Sequence, residues 1–208
     1  MTVRIAVVHY SATGVVHALA RALADGARDR GAEVRLLRVP ELAPPEAIAA
    51  NPRWAAHHAA ETEPGGTPLV TMDDLAWADG IALGTPTRFG GPAAQLKNVL
   101  DQTGGLWFKG VMNGKVVTAF TSASTAHGGL ESTILATLNV AYHWGALVMP
   151  LGYGPPVVSK VTGNPYGASW VSRKGSGPDE DALAAARAQG ERLADVAAAT
   201  RPLRTEGR

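Results

Sequence analysis

Apolar positions along the chain alternate between short continuous runs and stripes at helical spacing. The run Ile5-Ala6-Val7-Val8, rich in β-branched residues, predicts a strand buried on both faces. It stops at Ser11-Ala12-Thr13-Gly14, and a stripe at Val15, Val16, Leu19, Ala20, Leu23 and Ala27 then predicts an amphipathic helix. After a break at Gly31, Glu33 to Val39 reads as a second strand, Gly80 to Gly84 as a third, Lys115 to Phe120 as a fourth and Ala146 to Leu151 as a fifth. Between them, helices are expected around Asp73 to Trp77, from Ala93 to Gln102 behind Pro92, and from Leu130 to Tyr142. A last helix starts near Pro178-Asp179-Glu180 and packs through Leu183, Ala186, Gly190, Leu193 and Ala197. Gly190 in mid-helix costs about 1 kcal/mol against Ala and points to a close approach there.

Two stretches break the rhythm. Residues 43–68 hold Pro44, Pro45, Pro52, Pro64, Gly65, Gly66 and Pro68, too many breakers for continuous structure, with room for a short helical turn over Glu46 to Ala50. Residues 152–177 carry nine Gly or Pro residues and read as a long loop. The expected organisation is one domain over residues 1–200 and a polar, frayed tail over 201–208.

Five strands alternating with helices imply an α/β fold, a parallel sheet covered on both faces. Ligands of such sheets bind beyond the C-terminal strand ends. Chemistry is therefore expected after strand one (Ser11 to Val16), after strand three (Thr85 to Gly91) and after strand four (Thr121 to Gly129). All three loops are rich in Gly, Ser and Thr.

The first of these is a hydroxyl-rich turn at a helix start, which aims backbone N–H groups and a positive dipole end at one spot and so suits a phosphate. It is not a Walker A loop, because no Lys or Arg lies between residues 5 and 20. It is not a dinucleotide turn either, because only Gly14 of the Gly-x-Gly-x-x-Gly set is present, and Glu33 falls at the start of the second strand rather than its end. What remains is a hydroxyl-and-amide cradle of the kind that holds flavin mononucleotide. The alternative is an ordinary strand–helix turn capped by Ser11 or Thr13.

Composition narrows the class. A net charge of +1 with no basic stripe argues against nucleic acid, and the absence of cysteine removes disulfides, thiolate catalysis and Cys–metal sites. No apolar run approaches ~20 residues, so a membrane span is not expected and a cytoplasmic protein is. His57-His58 could suggest a metal, but neighbours on a helix do not face one ion and no acid with ligand spacing stands out; no metal site is expected.

The later motifs carry a resemblance. Gly84-Thr85-Pro86-Thr87-Arg88-Phe89-Gly90, Leu100-Asp101-Gln102-Thr103-Gly104-Gly105-Leu106-Trp107, Phe120-Thr121-Ser122 with His127-Gly128-Gly129, Pro150-Leu151-Gly152-Tyr153 and Asn164-Pro165-Tyr166-Gly167-Ala168 occur in order along nearly the whole chain. Together they resemble the WrbA family of flavodoxin-like NAD(P)H:quinone oxidoreductases. The resemblance implies a flavodoxin-like three-layer sandwich with a five-stranded parallel sheet in the order 2-1-3-4-5. It also implies FMN as cofactor, NADH or NADPH as co-substrate, two-electron reduction of quinones by ping-pong hydride transfer, and a homotetramer. By position, Ser11, Ala12, Thr13, Gly14, Val15 and Val16 would hold the FMN phosphate, and Thr87, Arg88 and Phe89 would border the isoalloxazine. Ser122, Ala123, Ser124, Thr125, Ala126, His127 and Gly128 would wrap its polar edge, with Trp107 and His143 lining the catalytic space above the ring. The first loop departs from the family, which usually has an aromatic where Thr13 stands and a His-Ile pair where Val15-Val16 stand. Ser11-Ala12-Thr13-Gly14 is closer to a true flavodoxin phosphate loop.

Each site residue has a plainer reading: Arg88 pairing with a surface acid, Trp107 filling core or a subunit interface, His143 capping helix carbonyls. Two other functions stand beside the enzyme. A one-electron carrier on this fold is usually strongly acidic, and this chain is nearly neutral. A flavin-free receiver module needs acids at the end of strand one, where His9-Tyr10-Ser11 stands.

Overall fold

The buried alternation within the first strand sets the layers. In the computed structural model, which describes residues 2–161 and 163–204, β1 (Arg4–His9) sends Ile5 and Val7 to one face of a sheet and Ala6 and Val8 to the other. The first face is covered by α1 (Val15–Asp29) and α8 (Glu180–Thr200), through Leu19, Leu23, Ala186 and Leu193 among others. The second is covered by α4 (Met72–Trp77), α5 (Ala94–Asp101) and α7 (Leu130–Trp144), through Leu75, Leu96, Ile134 and Trp144. The result is a three-layer sandwich.

The sheet runs β2 (Glu33–Arg38), β1, β3 (Gly80–Arg88), β5 (Val116–Ala123), β6 (Leu147–Val148), all parallel along this path. This is the expected 2-1-3-4-5 order, but in a sheet of seven strands rather than five. The extra two have separate causes. Strand β4 (Gly91–Pro92) folds back antiparallel on the end of β3. Its two-residue connection, Phe89 and Gly90, has φ of 52° and 80°, the left-handed pair that tight hairpins use. The predicted fifth strand, Ala146 to Leu151, is cut short because Pro150 has no N–H to continue the ladder. The chain leaves the edge after Met149, whose N–H still reaches the Val117 carbonyl, and returns as β7 (Ser169–Val171) beside Thr121 to Ala123. The stretch 152–177 is therefore not all loop.

The other expected loop is corrected as well. Residues 43–68 contain α2 (Pro45–Ala49) and the 11-residue α3 (Pro52–Thr62). Pro45 and Pro52 stand in first turns, where a missing N–H costs nothing, and the Asn51 side chain caps α3 by accepting from the Arg53 and Trp54 N–H groups. Trp107 sits on a short helix, α6 (Gly104–Phe108).

Gly190 has the close approach its position implied. A Cβ there would collide with the Leu23 carbonyl, and one at Gly26 with the Arg187 carbonyl, so α1 and α8 touch backbone to backbone. Beyond α8, Arg201–Leu203 form a 3₁₀ turn and the Arg204 guanidinium lies 2.5 Å from Asp79. Asp79 also accepts from the Arg4 backbone at 2.9 Å. The start of the expected tail is thus held, and residues 205–208 lie outside the described residues.

Candidate active site

At the end of β1 the chain turns through Ser11-Ala12-Thr13-Gly14 into α1. Gly14 sits at the helix N-cap with φ +89°, a conformation that side-chain-bearing residues rarely adopt, and no side chain caps the helix. The Ser11 hydroxyl accepts from the Gly14 N–H at 3.1 Å and closes the turn. Thr13 is exposed. The ordinary capped turn is therefore not what forms: no side chain caps the start of this 15-residue helix.

The three strand-end loops meet there. A cleft of about 240 Å³ is lined by Ser11, Ala12, Thr13, Val15 and Val16 from the first, Pro86, Thr87 and Arg88 from the second, Ser122, Ala123 and Ser124 from the third, and Ser172 after β7. No carboxylate lines it, so nothing there repels a phosphate. The Thr87 hydroxyl ties two loops together. It donates to the Gly128 carbonyl at 3.1 Å and accepts from the Gly90 N–H at 3.3 Å and from the Thr133 hydroxyl at 2.7 Å. Arg88 donates to the Thr87 carbonyl at 3.0 Å. These residues fit an FMN: uncapped amides and hydroxyls for the phosphate, one guanidinium, and a peptide-lined rim for a polar ring edge.

Thr125, Ala126, His127 and Gly128 complete the loop after β5, with residues 124–127 exposed. Ala126 lines a second cavity of about 440 Å³, formed with Leu130, Lys160, Trp170 and Arg173. Phe89 stands fully exposed at the hairpin tip. Trp107 is 53% exposed on α6, and His143 is exposed in the last turn of α7, whose carbonyls are capped by Gly145 instead. Neither Trp107 nor His143 lines either cavity within a single chain.

Behind the phosphate turn lies a group that sequence reasoning missed. His9, buried at the end of β1, places Nε2 3.1 Å from Nδ1 of His17 on α1. Glu61 on α3 reaches the same spot, 3.1 Å from His17 Nδ1 and 3.7 Å from His9 Nε2. His57 stacks beside His17 with ring centroids 5.4 Å apart, and its Nδ1 lies 3.5 Å from where a Gly14 Cβ would be. Burial, and then the neighbouring His17, pushes the His9 pKa down to about 3, and burial lowers His17 and His57 as well. A local signal was present: Glu61 follows His57 by four residues, which puts both on one face of a helix.

A second polar knot lies alongside. Glu41 accepts from the Tyr10 hydroxyl at 2.9 Å, from the Trp54 indole at 3.1 Å and from Gln95 at 2.6 Å. Burial would raise the Glu41 carboxyl, but these bonds and the Leu42 and Ala43 N–H groups outweigh it and hold it below the usual range. Burial and the bond to Glu41 push the Tyr10 phenol up.

The chain has clear relatives. A family model described as NADPH-dependent FMN reductase matches residues 3–154. A protein named NAD(P)H dehydrogenase (quinone) from Rhodopseudomonas palustris (strain TIE-1) is 43% identical over 201 residues, covering 93% of this chain and 96% of its own length. NAD(P)H dehydrogenase (quinone) 3 of Rhizobium meliloti (strain 1021) is 44% identical over 201 residues, covering 93% and 91%. Among solved structures, a flavodoxin, WrbA-like protein from Agrobacterium tumefaciens superposes with a TM-score of 0.68 at 26% identity, covering 96% of this chain and 99% of that one. A flavodoxin from the domain Archaea, at 17% identity and a TM-score of 0.61, shares the fold. By sequence over nearly its full length and by fold, the chain belongs to the WrbA-type family of flavodoxin-like NAD(P)H:quinone oxidoreductases.

Proposed function

We propose that this protein is an FMN-dependent NAD(P)H:quinone oxidoreductase, with FMN held in the cleft at the ends of β1, β3 and β5. The observation that carries the reading is the uncapped start of α1 at Gly14, opening into a strand-end cleft with no carboxylate. Ser11 and Thr13 with the first amides of α1 hold the phosphate. Thr87 fixes the distance between the two loops that border the ring, and Arg88 and Phe89 form its rim. The loop from Ser122 to Gly128 supplies backbone groups to its polar edge. When bound, FMN supplies two-electron hydride chemistry to a nicotinamide and a quinone that use one mouth in turn, which gives ping-pong kinetics.

The working form is a cytoplasmic homotetramer. Trp107 and Phe108 on α6, Leu135 and Tyr142 on α7 and the Phe89 tip leave large apolar groups in water on a single chain. In the assembly Trp107 and His143 line the space over the ring, with Trp107 a flat wall that keeps planar substrates stacked. Among the described residues no helix is long and apolar enough to cross a membrane.

The test is reconstitution with FMN followed by anaerobic reduction with NADH or NADPH and reoxidation with a benzoquinone. One FMN per chain, full reduction by the nicotinamide and parallel double-reciprocal plots are expected. Release of FAD, or no flavin binding at all, would sink the reading. One-electron exchange with protein partners and no nicotinamide oxidation would make the chain a carrier instead.

A further inference from the structure

Helix α3 poses a problem that its sequence does not solve. It is 11 residues long, yet none of its residues is buried, so no apolar face fastens it to the body. Its attachments are polar: Trp54 to Glu41, Arg53 to the Lys174 carbonyl at 2.7 Å, and Glu61 to the histidine group. That last contact is where three electron-pair donors from three elements converge. His9 Nε2, His17 Nδ1 and one Glu61 oxygen all lie within 4.8 Å of one another.

Hydrogen bonding alone satisfies this arrangement badly. His17 Nδ1 is 3.1 Å from both His9 Nε2 and a Glu61 oxygen. If His9 donates to it, its lone pair is already used and it faces the carboxylate without a hydrogen. If it carries the hydrogen itself, one proton must serve two acceptors. A cation between the three resolves the conflict, and the spacing suits one. Bonds of about 2.0–2.1 Å in a tetrahedral site put neighbouring donors about 3.3–3.4 Å apart; His17 Nδ1 lies 3.1 Å from both His9 Nε2 and Glu61 Oε1, and the other Glu61 oxygen, Oε2, lies 3.7 Å from His9 Nε2.

We propose that His9 Nε2, His17 Nδ1 and the Glu61 carboxylate form a transition-metal site of the Zn²⁺ class that clasps α3 onto the end of β1 and the start of α1. The surroundings are those of a metal site. The Thr67 hydroxyl donates to Glu61 Oε1 at 2.8 Å, and the Arg38 Nε donates to the Glu61 backbone carbonyl at 3.1 Å, which together orient the carboxylate. His9 Nδ1 is buried without a hydrogen-bond partner, while Nε2 is the ring atom that faces His17 and Glu61. Two imidazoles and one carboxylate select a nitrogen-preferring transition metal over Mg²⁺ or Ca²⁺. A cavity of about 20 Å³, large enough for one water, opens beside the cluster against His9, His57 and Glu61. His57, with its buried Nε2 unpartnered, lies between this site and Gly14, so a metal here would brace the phosphate turn from behind.

The site is tested on tag-free, FMN-loaded protein stripped of metal with a chelator. Co²⁺ should bind one per chain with the visible d–d bands of a tetrahedral nitrogen and oxygen site, and Zn²⁺ should displace it and raise Tm. Outer-shell partners alone are worth about 10–100-fold in affinity, so His17→Ala and Glu61→Gln should each weaken Zn²⁺ by more than about 100-fold and abolish the Co²⁺ bands. Glu61→Gln is isosteric and sits on a helix with no buried residue, so it keeps the test open if His17→Ala fails to fold. His58→Ala, one position off the cluster, should leave binding intact. No stoichiometric Co²⁺ or Zn²⁺ in the wild-type protein, or binding that survives Glu61→Gln but is lost with His58→Ala, overturns the proposal.

Discussion

Thr13 separates binding from folding. Its hydroxyl caps nothing, because α1 begins at Gly14 without a side-chain cap. Thr13→Ala should therefore leave the Tm of the apoprotein unchanged. It should weaken FMN about 10- to 100-fold, the worth of one hydrogen bond to a charged group at ~1.5–3 kcal/mol. Gly14→Ala behaves differently. It forces a Cβ into φ +89° beside His57, so it should lower both Tm and FMN affinity, with a stability cost of about 1–2 kcal/mol. Flavin fluorescence quenching and thermal unfolding of both variants check the contrast; equal loss of stability in the two would make Thr13 structural. The turn at the cleft was legible in the sequence because its residues, Ser11 to Val16, are consecutive. His9, His17 and Glu61 were not, since they lie on β1, α1 and α3 and share a site only once β1 and α1 have turned back on each other and α3 has crossed over them.

At the scale of elements, the helix pair α1 and α8 is the tightest contact on its face of the sheet. A side chain at Gly190 has nowhere to go but into the Leu23 carbonyl. Gly190→Val should cost about 1–3 kcal/mol or more by overpacking, read as a lower urea midpoint with the unfolding slope unchanged. A neutral result would mean the helices can slide apart. Short apolar runs and helical stripes made β1, β3, β5, α7 and α8 readable in advance. The misses have physical reasons. Pro45 and Pro52 open helices instead of breaking them, and only position in the first turn distinguishes the two roles. Strand β7 is three residues long and exists because β5 offers it an edge that Pro150 forced the chain to vacate.

For the whole molecule, the exposed aromatics set the expectation of assembly. Light scattering of the FMN-loaded protein should give a four-chain mass, and Phe108→Glu, at a position 84% exposed in the single chain, should lower it without unfolding the subunit. Trp107→Ala should keep FMN and lower kcat/KM for both substrates by about 1–3 kcal/mol, the scale of a lost stacking contact and its burial. A monomer that turns over at full rate would remove both ideas together. Trp54 and Trp170 do not belong to that surface, because their indole N–H groups bond within the chain to Glu41 and to the Ser176 carbonyl.

The backbone contact between α1 and α8 also has a consequence for biosynthesis. A ribosome makes α1 well before α8, so the side of β1 and α1 that Leu19 and Leu23 occupy has no cover until α8 has been made. During that interval α1 rests on the sheet without its outer neighbour. The nascent polypeptide is then a sticky, half-clad sheet of the kind chaperones guard, and the packed state of α1 waits for α8 to arrive.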